Sequence, residues 1–199
     1  MKRKSNTKIY DVLNKKMPDY LIQAGWFEEG KYSNGTSIAG IAAVQNYGGT
    51  IHHPGGTPYF FSELAQRAVF LSKNSSWGKE MVERGLITKP HTIVIPPTHF
   101  MENCQNKNKD KWQNEMKNAF TQVFLGNINP DKAMEQMGFL IEGDIAKEIA
   151  QGNYPPDKPS TVKAKMNRYK NYKKKGNLDK RLVDTGQMLD SVSHKVDKI

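Results

Sequence analysis

The sequence has a single cysteine, Cys104, among its 199 residues. One cysteine excludes an internal disulfide framework and a cysteine-rich zinc site, and it is compatible with folding in a cytoplasm. No apolar run approaches the roughly 20 residues that cross a bilayer, so we expect no membrane-spanning helix. The basic residues 1–6 are not followed by an apolar stretch, so we expect no secretory signal either.

Hydrophobic residues are also scarce, at 37% of the chain, and the mean hydropathy is -0.72. A chain of this length can form one domain with a core, but this composition predicts a modest core and a large surface or long loops.

Positive charge is abundant and concentrated in one segment. The chain carries 30 Lys and Arg against 20 Asp and Glu, a formal net charge of +10. Residues 158–181, which we call the basic arm, hold ten Lys or Arg and one Asp, a local charge of +9. The rest of the chain is therefore nearly neutral. Charge focused in this way favours a polyanion or an acidic protein as neighbour, and a solvated loop is the alternative.

In the first half of the chain, hydrophobic spacing predicts short elements. Residues 5–17 have helical spacing and end at Pro18. Residues 20–27 alternate as a strand does, and Thr36 or Ser37 caps a helix over residues 38–47. Residues 52–56 are predicted to be a loop.

The next stretch is rich in aromatic and β-branched residues. Residues 59–61 and 68–71 predict the two strands of an extended hairpin, residues 73–78 a turn, and residues 92–95 a strand.

Two long amphipathic helices are predicted over residues 109–125 and 130–150, and we expect them to cover a sheet. A further helix begins at Ser160 or Thr161, and a helical turn at 185–189 precedes a strand at 191–196. The sequence therefore predicts one α+β domain over residues 1–199. It consists of a small, mainly antiparallel sheet packed by the two long helices, a hairpin or loop insertion at residues 52–92, and the basic arm.

The histidines do not form a recognisable metal motif. No His-Glu-x-x-His helix is present, and the nearby carboxylates lack ligand spacing. Adjacent histidines on a strand point apart and do not easily share one ion. We therefore interpret the histidines as loop or surface residues: His52, His53, His91, His99 and His194.

Catalytic motifs are equally weak. Asp184-Thr185-Gly186 matches the short motif of aspartic proteases, which leaves a hydrolase centred on Asp184 as a remote alternative. The simpler interpretation is that Asp184 caps a helix. Asp184, Asp190, Ser193 and His194 include the residue types of a catalytic triad, but the Gly-x-Ser-x-Gly elbow is absent. We expect no catalytic, cofactor or metal site and assign no role to Cys104.

The basic arm is the remaining binding candidate. Lysine outnumbers arginine, which favours contacts to a phosphate backbone over the reading of bases. Tyr169 and Tyr172 can stack on bases or pack internally. A small protein that binds nucleic acid without sequence preference is therefore one hypothesis. The predicted contacts to DNA or to an acidic partner are Lys163, Lys165, Arg168, Lys170, Lys173, Lys174, Lys175, Lys180 and Arg181.

Five motifs occur in a fixed order along the chain. They are NGTSIAGIAAVQNYG at 34–48, IPPTHFM at 95–101, GDIAKEI at 143–149, the pair Pro155-Pro156 followed by Ser160, Thr161, Val162 and Lys165, and LVDTGQMLDSV at 182–192. In order and spacing this set resembles the neck or tail-completion proteins of tailed bacteriophages, from about residue 20 to residue 196. The chain departs from that pattern at Thr98-His99, where the family has Arg-Pro, and in its long stretch 52–92.

The resemblance implies a structural virion protein without enzymatic activity or cofactor. Such proteins form homo-oligomeric rings, sixfold or twelvefold, where the portal or its adaptor meets the tail-terminator or tail-tube proteins. The chain would be made in the host cytoplasm and would lie in the neck of the virion. In a ring, the basic arm would face the passing double-stranded DNA or an acidic neighbour. Aromatic residues are the predicted subunit contacts: Tyr59, Phe60, Phe61 and Trp77.

Overall fold

The structure is a computed structural model that describes residues 18–64, 66–168 and 180–199. The predicted helix at residues 5–17 lies outside this range. The described strands are β1 (Tyr20–Gly25), β2 (Gly49–His53), β3 (Tyr59–Ser62), β4 (Arg67–Phe70), β5 (His91–Ile95) and β6 (Ser193–Lys198). The described helices are α1 (Ile38–Tyr47), α2 (Ser76–Glu83), α3 (Phe100–Phe124), α4 (Pro130–Gln151), α5 (Pro159–Arg168) and α6 (Gln187–Asp190).

The chain divides into two compact units. The main unit comprises residues 1–47 and 97–199, and the inserted unit comprises residues 48–96. The inserted unit contains the stretch 52–92 for which the sequence predicts an insertion.

In the main unit, β1 and β6 form an antiparallel ribbon, from Tyr20 opposite Lys198 to Gly25 opposite Ser193. Helix α4 packs on both strands, and α3 packs on α4. Alternation of side chains in β1 explains this arrangement, because every second residue can face the helices while the others face water. The α+β class and the packing of two long helices on small antiparallel sheets are therefore confirmed.

The core of the main unit joins segments that are distant in sequence. Phe100, Cys104 and Ile149 are almost fully buried, and Trp26 meets the Phe100 ring edge-on with the ring centroids 5.7 Å apart. The indole nitrogen of Trp26 donates to the carbonyl of Met188 at 2.8 Å. The segment after the basic arm is thus part of the same core as β1 and α3.

The inserted unit is built from two antiparallel ribbons, β2 with β5 and β3 with β4, together with α2. The predicted hairpin of residues 59–61 and 68–71 is confirmed as β3 and β4. Since a two-stranded ribbon is only marginally stable alone in water, it requires additional packing.

Three sequence predictions are wrong in detail. His52 and His53 belong to β2, where His52 lies opposite Thr92, and not to a loop. The stretch predicted as a turn begins α2, because the hydroxyl of Ser75 accepts from the amide of Gly78 and caps the helix. Helix α3 begins at Phe100, well before the predicted start, because the side chain of Asn46 accepts from the Met101 amide.

Candidate functional site

The described start of the basic arm is helix α5. Pro159 is the first residue of α5. Proline is tolerated there because the amide of the first helical residue has no hydrogen-bond acceptor within the helix. Lys165 lies one turn before the end of that helix and is only 5% exposed. A lysine this deeply buried needs partners for its ammonium group, because an unpaired buried charge is strongly unfavourable.

The ammonium of Lys165 has three partners. Its Nζ atom lies 2.7 Å from Oδ2 of Asp157, in an ion pair whose two side chains are both largely buried. It donates to the backbone carbonyls of Lys180 and Val183, each at 3.0 Å. We call Lys165, Asp157 and these two carbonyls the clasp.

The clasp corrects one predicted contact. Lys165 was expected to face DNA or an acidic partner, but its charge is used inside the main unit. Lys163, two residues earlier, is exposed, and Lys180 and Arg181 are half-buried. The side chain of Arg168 and all of Lys170, Lys173, Lys174 and Lys175 lie outside the described residues, as do Tyr169 and Tyr172.

A cavity of about 400 Å³ lies beside the clasp. It is lined by residues of the β1–α1 loop, α1, α5 and the segment after the arm, among them Tyr32, Gln45, Lys165, Arg181 and Asp184. Burial raises the pKa of Tyr32, and the nearby charge of Asp184 raises it further. Both effects favour the neutral form of the Tyr32 phenol.

The Asp184-Thr185-Gly186 turn does not have the predicted capping role. Gly186, with φ at 82°, is the residue that precedes α6, and the hydroxyl of Thr185 accepts from the amide of Gln187. A glycine tolerates this left-handed conformation at no steric cost. Asp184 lies two residues further back and lines the cavity.

The five histidines do not converge. His53 and His91 stack across β2 and β5 with ring centroids 4.8 Å apart, His52 lies beside Thr92, and His99 precedes α3 in a left-handed conformation. Among the residues that the structure describes, no group of three or more His, Cys, Asp or Glu side chains is arranged to hold a metal ion.

His194 has the most defined surroundings of the five. Its Nδ1 lies 2.6 Å from Oε2 of Glu142, and its Nε2 lies 3.0 Å from Oε2 of Glu135. Burial alone would lower the pKa of His194, but the two carboxylates reverse this and raise it. The spacing of Glu135 and Glu142, two helical turns apart, was visible in the sequence, but the approach of β6 to α4 was not.

The predicted aromatic interface divides between the two faces of the β3–β4 hairpin. Phe60 packs edge-on against Trp77 of α2, with ring centroids 5.6 Å apart. Tyr59 and Phe61 share the opposite face, because Tyr59 pairs with Phe70 and Phe61 pairs with Ala68. On this side Phe61 and Phe70 are 60% and 63% exposed. We call Tyr59, Phe61, Ala68 and Phe70 the open face.

A shallow groove continues the open face. It has a volume of about 540 Å³ and is lined by Tyr59, Ala68 and Phe70 together with Ile87 and Pro90. The isolated bridge between Pro58 and Ile87 brings the segment after α2 to the edge of the hairpin. The result is an apolar surface that none of the described residues of the inserted unit covers at Phe61 and Phe70.

Comparisons of the chain with models of protein families, with characterised proteins and with solved structures found no match. No helix in the described part of the chain combines the length and the hydrophobicity that a bilayer crossing requires.

Proposed function

We propose that the chain is a non-enzymatic structural subunit at the head–tail junction of a tailed bacteriophage. In this proposal copies of the chain form a ring, sixfold or twelvefold. The ring joins the portal or its adaptor to the tail-terminator or tail-tube proteins. The order of motifs along the sequence suggests this role, and the observation that carries it furthest is the open face of the inserted unit.

The open face supports an assembly role because of its chemistry. Three aromatic side chains, Tyr59, Phe61 and Phe70, lie on one side of a hairpin whose other side is packed by Trp77. Exposed aromatic clusters mark protein contacts more often than chance, and aromatics dominate the energetics of interfaces. Ring subunits meet through two different surfaces, so the open face would bind a different part of the next copy.

The first test asks whether the purified chain forms a closed oligomer through this face. Native mass spectrometry and light scattering should find a ring for the wild type, alone or with connector proteins added. Phe61→Ser with Phe70→Ser should abolish the ring. The matched control is Phe120→Ser with Phe124→Ser, since these α3 side chains are also about half exposed, at 45% and 51%. A ring that survives the open-face change contradicts the proposal, and so does a ring that is lost equally in the control.

The second test is genetic. In the virus that encodes this chain, particles made without it should include filled heads and completed tails that remain separate. Negative-stain imaging would count joined and unjoined particles. Infectious, fully joined particles in the absence of the chain would exclude a role at the junction.

The charge of the basic arm favours a second candidate, a small protein that binds nucleic acid without sequence preference. The segment carries +9 of the +10 net charge, and lysine-rich segments bind phosphates as point charges. In the ring this same arm would face the passing DNA. The two candidates separate by oligomeric state, because a monomer that binds duplex DNA and joins no heads to tails supports only the second.

A further inference from the structure

A pocket of about 260 Å³ lies in the main unit between β1, the end of α1, and the helices α3 and α4. Its wall is largely apolar, with Ile22 from β1 and Ile141 from α4. The aromatic rings of Tyr47 and Trp112 add to this wall. Glu102, in the first turn of α3, is the only charged side chain among the described residues that line the pocket. The pocket therefore combines one negative charge with apolar and aromatic surface.

One oxygen of the Glu102 carboxylate is held by the fold. The side-chain amide of Asn46 donates to Oε1 of Glu102, with 3.2 Å between nitrogen and oxygen. Asn46 is 2% exposed, and its own side-chain oxygen accepts from the amide of Met101 at 3.0 Å. The same asparagine thus contacts the start of α3 and orients the carboxylate. The other oxygen, Oε2, is buried and receives no hydrogen bond from the described residues.

A buried carboxylate oxygen without a partner is unfavourable, because it has lost its water and gained no donor. Among the described residues, no lysine or arginine lines the pocket to supply one. The donor must therefore come from outside these residues. A water molecule can donate, but it leaves the apolar wall uncovered, and Tyr47 is 69% exposed. A ligand with a positive end and an apolar body satisfies both parts of the pocket.

The kind of cation follows from the number of free acceptors. A guanidinium group prefers both oxygens of a carboxylate, and here Oε1 of Glu102 already accepts from Asn46. A calcium or magnesium ion takes about six oxygen ligands, more than this largely apolar wall supplies. An ammonium group is a compact point charge that can pair with a single oxygen. Its alkyl chain can cover the apolar wall, and the aromatic surface also attracts a cation.

We infer that this pocket binds a primary alkylammonium group, the chemistry of a lysine side chain or of a small amine. Oε2 of Glu102 accepts from the ammonium, and the apolar wall covers the methylene chain. Asn46 is a positioning residue, since it acts on the ligand through the Glu102 carboxylate. The pocket lies outside the open face and the basic arm, so this binding does not depend on the proposed function.

The test compares n-butylammonium with 1-butanol, which has the same alkyl chain and no charge. Titration of the isotope-labelled full chain, followed by two-dimensional NMR, gives both affinities from the resonances of the residues that line the pocket. We expect butylammonium to bind with a dissociation constant on the order of 1 mM and 1-butanol to bind about tenfold more weakly. Butanol that binds as tightly as butylammonium would overturn the inference, because the charge would contribute nothing.

Two variants locate the partner of the charge. Glu102→Gln keeps the shape of the side chain, and its amide oxygen can still accept from Asn46, but its other end becomes a donor. We expect this variant to bind butylammonium about tenfold more weakly and to bind 1-butanol as the wild type does. Glu115→Gln, at an exposed position of α3, removes the same charge elsewhere and should retain the wild-type affinity. Equal loss in both variants, or no loss in Glu102→Gln, would contradict the assignment to Glu102.

A last comparison separates the two sources of the ammonium. N-acetyl-lysine N-methylamide presents the same group on a peptide backbone. Tighter binding of this capped lysine than of butylammonium assigns the pocket to a lysine of another protein chain, and the reverse order assigns it to a free amine. Butylguanidinium that binds more tightly than butylammonium would overturn the choice of an ammonium. The absence of any shift at the pocket with either amine would overturn the site itself.

Discussion

Nδ1 of His194 lies 2.6 Å from Oε2 of Glu142, so the last strand of the chain is fastened to α4 by a charge-assisted contact. The second ring nitrogen, Nε2, lies 3.0 Å from Oε2 of Glu135. The rings of His194 and Phe139 meet edge-on, with their centroids 4.4 Å apart. Both nitrogens can donate only when the imidazole is protonated. In the β1–β6 register its neighbour is Ala24, which adds no charge.

This geometry makes the stability of the main unit depend on pH near neutrality. The folded-state pKa of His194 is raised above its ordinary value of 6.5. The stabilisation of the folded state by protonated His194 is therefore fully present below pH 6.5 and is lost as pH rises through the folded-state pKa. We expect the free energy of unfolding to fall over that rise, because the neutral imidazole can no longer donate to both carboxylates. Urea unfolding at a series of pH values measures it.

The variant His194→Gln is the control for that titration. It should be less stable than the wild type at pH 6 and should lack the decline above it. A wild-type profile that is flat, or that rises with pH through this window, would contradict the assignment to His194.

Two glycines of α4 should respond in opposite directions to the same substitution. A Cβ on Gly138 would come within 2.1 Å of the His194 ring, whereas a Cβ on Gly143 would meet nothing within 4 Å. Gly138→Ala should therefore destabilise by about 2 kcal/mol or more, through overpacking. Gly143→Ala should stabilise by about 0.5 to 1 kcal/mol, because alanine has the higher helix propensity.

Thermal denaturation of the two glycine variants compares these effects directly. Because they share a helix and a chemical change, a difference between them reports the contact with His194. Equal shifts for the two would show that β6 does not approach α4 as described.

The elements with strong periodicity were predictable from the sequence, and the contacts between distant segments were not. For α4, the amphipathic pattern predicted a helix over residues 130–150, and the helix is observed at Pro130–Gln151. The buried position of Lys165 could not be predicted, because nothing in the sequence distinguishes it from the other lysines of the basic arm. Only the folded chain brings it to Asp157 and to the carbonyls of Lys180 and Val183.

The aromatic residues of the inserted unit were also predictable only in part. The sequence grouped Phe60, Phe61 and Trp77 as contacts, since all three are large and apolar. The alternation of side chains along β3 separates Phe60, which packs on Trp77, from Phe61, which does not. The alternation of side chains along β3 could be predicted from the sequence. The face of the hairpin on which α2 packs could not, because it depends on tertiary contacts.

Charged pairs between α3 and α4 provide the next prediction. Lys111 lies 2.7 Å from Oδ1 of Asp144, and the indole nitrogen of Trp112 donates to the other carboxylate oxygen at 2.8 Å. Asp144 is 8% exposed, and the side chain of Lys111 is 44% exposed. Lys111→Met should destabilise by about 1 to 2 kcal/mol, a discounted value because the lysine is partly solvated.

Lys109→Met, at an exposed position of the same helix, is the matched control for the Lys111 substitution. It should change the unfolding free energy by less than about 0.5 kcal/mol. Chemical denaturation of both proteins measures the difference. Equal stabilities would mean that the Lys111–Asp144 pair contributes nothing to the joining of the two helices.

The single cysteine provides the last prediction. Cys104 is 1% exposed, and burial, with the charges of Glu148 and Asp144, raises the pKa of its thiol to about 11. Since the thiolate is the reactive form, the native protein should react with iodoacetamide far more slowly than the urea-unfolded chain at the same pH. Mass spectrometry of the alkylated protein measures both rates. Labelling of the native protein at the unfolded rate would show that α3 does not bury this side chain. A rate that falls as urea is removed, in step with refolding, would make Cys104 an internal probe of the main core.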